Sequence, residues 1–160
     1  MIIYRLQNVI GEGIYYSNVA SEICDELRNK KLAYSLYTNH PIPSFDTKYL
    51  NNINKKDRLR LYNIKTYGFK RYEHYRNWFY DDTFLNMAHE KGISLYLFDV
   101  HKTYIVFGKA QCSFNKYFAK QVGIFHPLCP KETLTNTIRQ WYNGENQESP
   151  YHVSLSSIGV

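Results

Sequence analysis

Apolar side chains along this chain change their period several times, and each period predicts an element. Val19, Ile23 and Leu27 recur at i, i+4 and i+8, with Glu22, Asp25 and Glu26 early and Arg28, Lys30 and Lys31 late. That charge order complements a helix dipole, so the spacing predicts a helix over 20–31 with a solvated outer face, capped by Ser17 or Ser21. From Phe69 the stripe Phe69, Tyr72, Tyr75 or Arg76, and Phe79 predicts a second helix over 69–80, with Gly68 as the turn residue before it. Asp81 or Asp82 caps a third over 82–91, where Phe84, Leu85 and Ala88 form the apolar side. Gly92 then stands where a left-handed C-terminal residue belongs, followed by apolar Ile93. A fourth helix, entered near Pro130, carries Leu134, Ile138, Trp141 and Tyr142 over 131–142.

Strand patterns fill the remainder. Residues 2–6 read as a strand with Arg5 on the face opposite Tyr4 and Leu6. Gly11 and Gly13 signal a turn, and Ile14, Tyr15 and Tyr16 a short extended piece whose rings can flank a pocket. Residues 95–100 and 104–107 are nearly continuous apolar runs separated by His101, Lys102 and Thr103, which predicts a hairpin with both strands largely covered. The second run continues to Phe114 past a bulge at Gly108, placing the polar Gln111 within an apolar strand. Weaker signals lie at 59–65, 120–125 and 151–155. The expected fold is α+β, with two small, strongly twisted, mainly antiparallel sheets packed against about four helices. A single globular domain is expected over 1–143, with a tail over 144–160 that can supply an edge strand.

Composition adds two points. Aromatic residues make up 17% of the chain, with 16 tyrosines and 9 phenylalanines, so the core is expected to be built from rings whose hydroxyls reach its edge or a recognition surface. Lys and Arg outnumber Asp and Glu by 20 to 14, which favours a polyanionic partner: nucleic acid, a nucleotide phosphate or an acidic protein surface. An ordinary lysine-rich surface accounts for the same balance. The densest basic run, Lys55, Lys56, Arg58 and Arg60 continuing to Lys65, Lys70 and Arg71, is interleaved with Tyr62, Tyr67 and Tyr72 and forms a candidate surface for nucleic acid or protein.

Cys24, Cys112 and Cys129 form no CxxC pair, so neither a disulfide framework nor a zinc site is indicated and a reducing compartment is expected. His74 and His89 lack ligand spacing, and no metal is expected. No apolar stretch approaches the roughly 20 residues of a membrane span, so a cytoplasmic protein without a membrane partner is expected. Serine-hydrolase, zincin, P-loop and dinucleotide-fold motifs are absent from the sequence. Cys112 reads as a buried small hydrophobe rather than a nucleophile. The two prolines after His40 stiffen the loop to Asp46. They hold both residues in set directions, either as a surface turn with Asp46 as a cap or as ligand-facing groups.

The ordered set Tyr4-Arg5, Gly13 to Tyr16, His40 to Asp46, Tyr67-Gly-Phe69, Trp78-Phe79, the hairpin and Gln111 to Phe114 resembles small phage and bacterial proteins. Their order of elements is similar to that of the ADP-ribosyltransferase superfamily, including its DNA-modifying branch. The resemblance spans roughly residues 1–118. It implies a protein of phage or mobile-element origin acting on a host macromolecule with NAD as cofactor. It casts Arg5 as the early-strand NAD contact, Tyr15, Tyr16 or Phe69 as the ring stacked on nicotinamide, and Gln111 at the acidic catalytic position. Tyr4, His40 and Asp46 would line the same cofactor site. A neutral amide orients a ribose hydroxyl but cannot stabilise an oxocarbenium-like centre through charge, and Glu12, Asp46 and Asp99 are the replacement carboxylates to consider. The rival reading is a non-enzymatic counter-defence protein that occupies a host protein or nucleic-acid complex through a basic, tyrosine-rich surface. Its signature would be Arg5 and Gln111 buried in mutual or main-chain hydrogen bonds, with no cleft beside them.

Overall fold

The computed structural model describes residues 1–30, 66–108 and 110–144. Six strands, β1 (Ile2–Gln7), β2 (Tyr67–Phe69), β3 (Ser94–Val100), β4 (Ile105–Phe107), β5 (Gln111–Phe114) and β6 (Ala119–Phe125), form one antiparallel sheet in the order β4-β5-β2-β1-β3-β6. Four helices accompany it: α1 (Val19–Asn29), α2 (Tyr72–Trp78), α3 (Asp82–Glu90) and α4 (Lys131–Tyr142). The α+β class and the helices near their expected positions agree with the sequence patterns, except that α2 begins at Tyr72 rather than at Phe69. The predicted strand near 59–65 and most of the tail over 144–160 lie outside the described residues.

Where the two small sheets were expected there is one. The reason is β2, three residues whose helix-like spacing had assigned Phe69 to the following helix. Phe69 instead pairs with Tyr4 of β1 on one side and Gln111 of β5 on the other, joining the two halves. Gly68 permits the join, because a Cβ there would stand 2.5 Å from Ile3 Cγ2 and 2.8 Å from the Tyr4 carbonyl oxygen. The two apolar runs at 95–107 do not form the predicted hairpin. β3 has both its edges occupied, by β1 and β6, so β4 pairs with β5 instead. The second run likewise folds back at Gly108, whose amide donates to the Gln111 carbonyl at 2.9 Å, rather than bulging and continuing.

Strand alternation divides the core in two. On one face Ile2, Leu6, Phe69, Leu95, Leu97 and Phe125 meet the helices, with Phe84, Leu85 and Ala88 of α3 and Ile23 and Leu27 of α1. On the other, Ile3, Tyr96, Phe98, Val100, Cys112 and Phe114 pack on one another. Phe98 and Phe114 stand on β3 and β5, three strands and roughly 14 Å apart in a flat sheet, yet their ring centroids are 5.6 Å apart. The sheet is therefore curled, with the second cluster on its concave side.

Local chemistry sets the helix ends. The Asp81 carboxylate accepts from the Thr83 and Phe84 amides, and Gly92 at φ 83° lets the Ile93 amide reach the Ala88 carbonyl at 2.9 Å. α1 departs from expectation, since neither serine caps it. Asn18 in the left-handed region is its first flanking residue, with no side-chain cap. Ile14 to Tyr16 form a tight turn rather than an extended piece, because the Gly13 carbonyl accepts from both the Tyr16 and Ser17 amides. α4 is tied to β3 through Asp99, which accepts from Trp141 Nε1 at 3.1 Å, Tyr142 Oη at 3.2 Å and the N-terminal ammonium at 2.8 Å.

Two outcomes are expected. Gly68→Ala should lower unfolding stability by about 1–3 kcal/mol in a denaturant titration, since the added methyl meets backbone as well as a side chain. Burial raises the Asp99 pKa, but the hydrogen bonds from the ammonium, Trp141 and Tyr142 outweigh it and hold the carboxyl below its ordinary value. The resulting stability is present above the ordinary carboxylate range and is lost as pH falls through the depressed value. Thermal melts from pH 7 downward should therefore show a shallower acid slope in Asp99→Asn than in the parent.

Candidate functional site

β1 sets the orientation of the site. Alternation puts Tyr4 on the helix-covered face, and Arg5, which lies opposite Tyr96, on the concave one. Arg5 is 93% buried by the complement of its 7% exposure, and its guanidinium is engaged on three sides. Nη1 donates to the Tyr67 carbonyl at 2.6 Å, Nη2 to the Gly11 carbonyl at 3.3 Å and Nε to Gln7 Oε1 at 2.8 Å. Arg5 thus ties the loop after β1 and the start of β2 to the central strand. Gly13 makes room for it, since a Cβ there would stand 3.0 Å from Nη2. Burial lowers the Arg5 pKa to about 10, partly offset by Tyr16.

Gln111 stands elsewhere. It lies directly opposite Phe69, which lies opposite Tyr4, so Gln111 projects on the face away from Arg5. It is buried, and neither its Nε2 nor the Oγ of Ser113, two residues along on the same face, has a hydrogen-bond partner. The register therefore places Arg5 and Gln111 on opposite faces of the sheet and does not bring them together. The Cys112 thiol, between them in register with Gly68, is buried and pushed up to about 12 by that burial, which leaves it unreactive.

The other predicted residues separate as well. Phe69 is a core ring within 6.1 Å of the Tyr75, Trp78 and Phe79 centroids. Tyr4 sits edge-on to Tyr72, and burial raises its hydroxyl to about 12, with smaller contributions from Glu73 and Tyr72. Tyr15 stacks on Phe79 and accepts from Trp78 Nε1, while Tyr16 is exposed near Arg5. His40, Asp46, Lys55, Lys56, Arg58, Arg60 and Lys65 lie outside the described residues. Of the basic run, Lys70 stands over the Phe107 ring at 5.4 Å and Arg71 is exposed at the start of α2. Glu12 is exposed and bonded to Asn8, and Asp99 serves the α4 anchor.

What sequence reasoning missed lies beyond β5. Lys116 places its ammonium against Gly11, on the same residue whose carbonyl Arg5 binds. Burial lowers its pKa, and the Arg5 charge lowers it further. The neighbouring rings Tyr117 and Phe118 are 88% and 54% exposed. Their signal in the sequence was a lysine beside two aromatic residues, in a stretch to which the hydrophobic pattern assigned no element.

The fold and these side chains describe an α+β protein whose buried cation binds main-chain carbonyls and whose exposed rings include Tyr117 and Phe118, next to Lys116 in the chain. The chain belongs to the bacteriophage T4 Y00F protein family, whose model matches residues 1–128. No curated protein and no solved structure matches the chain. Among the described residues no helix is long and apolar enough to cross a membrane.

The structural role of Arg5 has a direct check. Arg5→Ala leaves two main-chain carbonyls without their charged donor and should cost about 2 kcal/mol or more in urea unfolding. Ser113→Ala removes a buried hydroxyl that has no partner, and should be neutral or stabilising by up to about 1 kcal/mol in the same measurement.

Proposed function

We propose that this phage protein is a non-enzymatic binding protein that occupies a host macromolecule in the host cytoplasm, a counter-defence role, through a basic, aromatic surface. The observation that carries this reading is the use made of Arg5. Its donors hold main-chain carbonyls inside the fold, and the residue at the expected acidic position projects from the other face of the sheet. An ADP-ribosyl transfer site needs an accessible cation and an acidic or amide group converging on one ribose. The arrangement here supports a scaffold instead. Outside that scaffold, large apolar rings stand in water at Tyr16, Tyr80, Tyr104, Tyr117 and Phe118, and a formal charge of +6 favours an acidic partner.

Calorimetric titration with NAD tests the reading. The purified protein is expected to give no saturable heat with NAD or ADP-ribose. Saturable NAD binding that Tyr16→Ala weakens in a folded protein, with transfer of label from NAD to a host macromolecule, would overturn it in favour of the transferase.

A further inference from the structure

We infer that the ledge formed by Tyr104, Tyr117 and Phe118 with Lys102 and Lys116 binds single-stranded nucleic acid, its rings stacking on unpaired bases and its lysines meeting phosphates. This names the partner class for the binding-protein reading and rests on it.

Two of the rings are held in place before any ligand arrives. Tyr104 ends one 3₁₀ turn (Lys102–Tyr104) and Phe118 ends another (Lys116–Phe118). The Asn115 amide donates to the Tyr104 carbonyl at 3.1 Å, joining the two turns, and the Asn115 side chain accepts from the Tyr117 amide at 3.0 Å. The Tyr104 and Phe118 rings stack at 4.2 Å between centroids and 10° between planes while remaining 39% and 54% exposed. Tyr117, 88% exposed, leaves its ring open to solvent. Tyr104 and Phe118, positioned in this way, lose little conformational freedom when a base settles on them.

Positive charge predominates along the segment that carries the ledge, although Lys120 lies opposite Asp99 across the β3–β6 pair. Residues 101–131 contain five lysines and no Asp or Glu. Among the described residues Lys102, Lys116 and Lys120 make no ion pair, whereas Lys131, at the end of the stretch, is paired with Glu73. Arg5 adds positive charge beside Lys116, and Glu12, in the loop that Lys116 approaches, is bonded to Asn8. Lysine is depleted at the centres of protein–protein interfaces, where desolvating an ammonium is costly. Next to exposed rings it matches a strand of nucleic acid, which offers a phosphate and a flat base at every step.

The experiment is fluorescence anisotropy with labelled oligothymidylate and oligouridylate of about 20 nucleotides, and with a DNA duplex of the same length. Salt is set at about 50 and about 200 mM. Either or both single strands should bind more tightly than the duplex. Tyr117→Ala, an exposed substitution whose folding is checked by circular dichroism, should weaken single-strand binding about tenfold. Lys116→Gln should lower the slope of log affinity against log salt by about 0.7. Absence of saturable binding to either single strand overturns the inference, as does an affinity unchanged by Tyr117→Ala. The NAD titration decides the parent reading separately. A protein that binds neither NAD nor oligonucleotide remains a binding protein with a protein partner, whereas saturable NAD binding removes the parent reading whatever the oligonucleotides do.

Discussion

The fold depends on a three-residue strand. β2 offers main-chain groups on both edges, to β1 on one side and β5 on the other, and without it the strands would fall into two groups. The close approach is possible because Gly68 carries no side chain toward Ile3 and the Tyr4 carbonyl. Joining the two groups lets the sheet curl until rings from β3 and β5 touch across its concave side, while the helices cover the other side. Among the described residues, apolar clusters are thus buried on both faces of the sheet with four short helices.

Arg5 is tied to that arrangement. A guanidinium on the concave side has little water, and among the described residues no carboxylate neutralises it. Main-chain carbonyls from Tyr67 and Gly11 satisfy it, and they come from the two segments that must be held near the end of β1. A cation placed in this way stabilises the fold through oriented dipoles and is poorly placed to meet a cofactor. Gln111, directed to the opposite face by the register with Phe69, belongs to a different environment. The chemistry that remains accessible is at the rim, where Lys116 reaches the Gly11 backbone and the next two residues present rings to solvent.

The helices were legible because their information is local. An apolar stripe, acidic residues early, a capping aspartate and a following glycine all act within a few turns, and α3 and α4 lie within a residue of their predicted bounds. Strand runs were legible as apolar runs, and alternation placed Arg5 opposite Tyr4 correctly. Strand partners were not. β2 is too short to show a period of two, and its Phe69 continued the helical spacing of Tyr72, Tyr75 and Phe79. The hairpin expected between β3 and β4 failed for a similar reason, since nothing in either run says which neighbour will take an open edge.

The candidate site followed the same division. The family resemblance implied a cofactor pocket around Arg5 and Gln111, but whether two side chains on different strands converge depends on register, and one-residue steps exchange the faces. Sequence by itself determined the α+β class, the helices, an aromatic core and an excess of positive charge, because each is a property of composition or of neighbours along the chain. Tertiary structure alone decided that a three-residue strand joins the sheet, that Arg5 and Gln111 face apart, and that Tyr104 stacks on Phe118 beside Lys116. Those outcomes depend on pairing between segments distant in sequence, where hydrogen-bonding edges and packed rings select one arrangement from several that the local pattern allows.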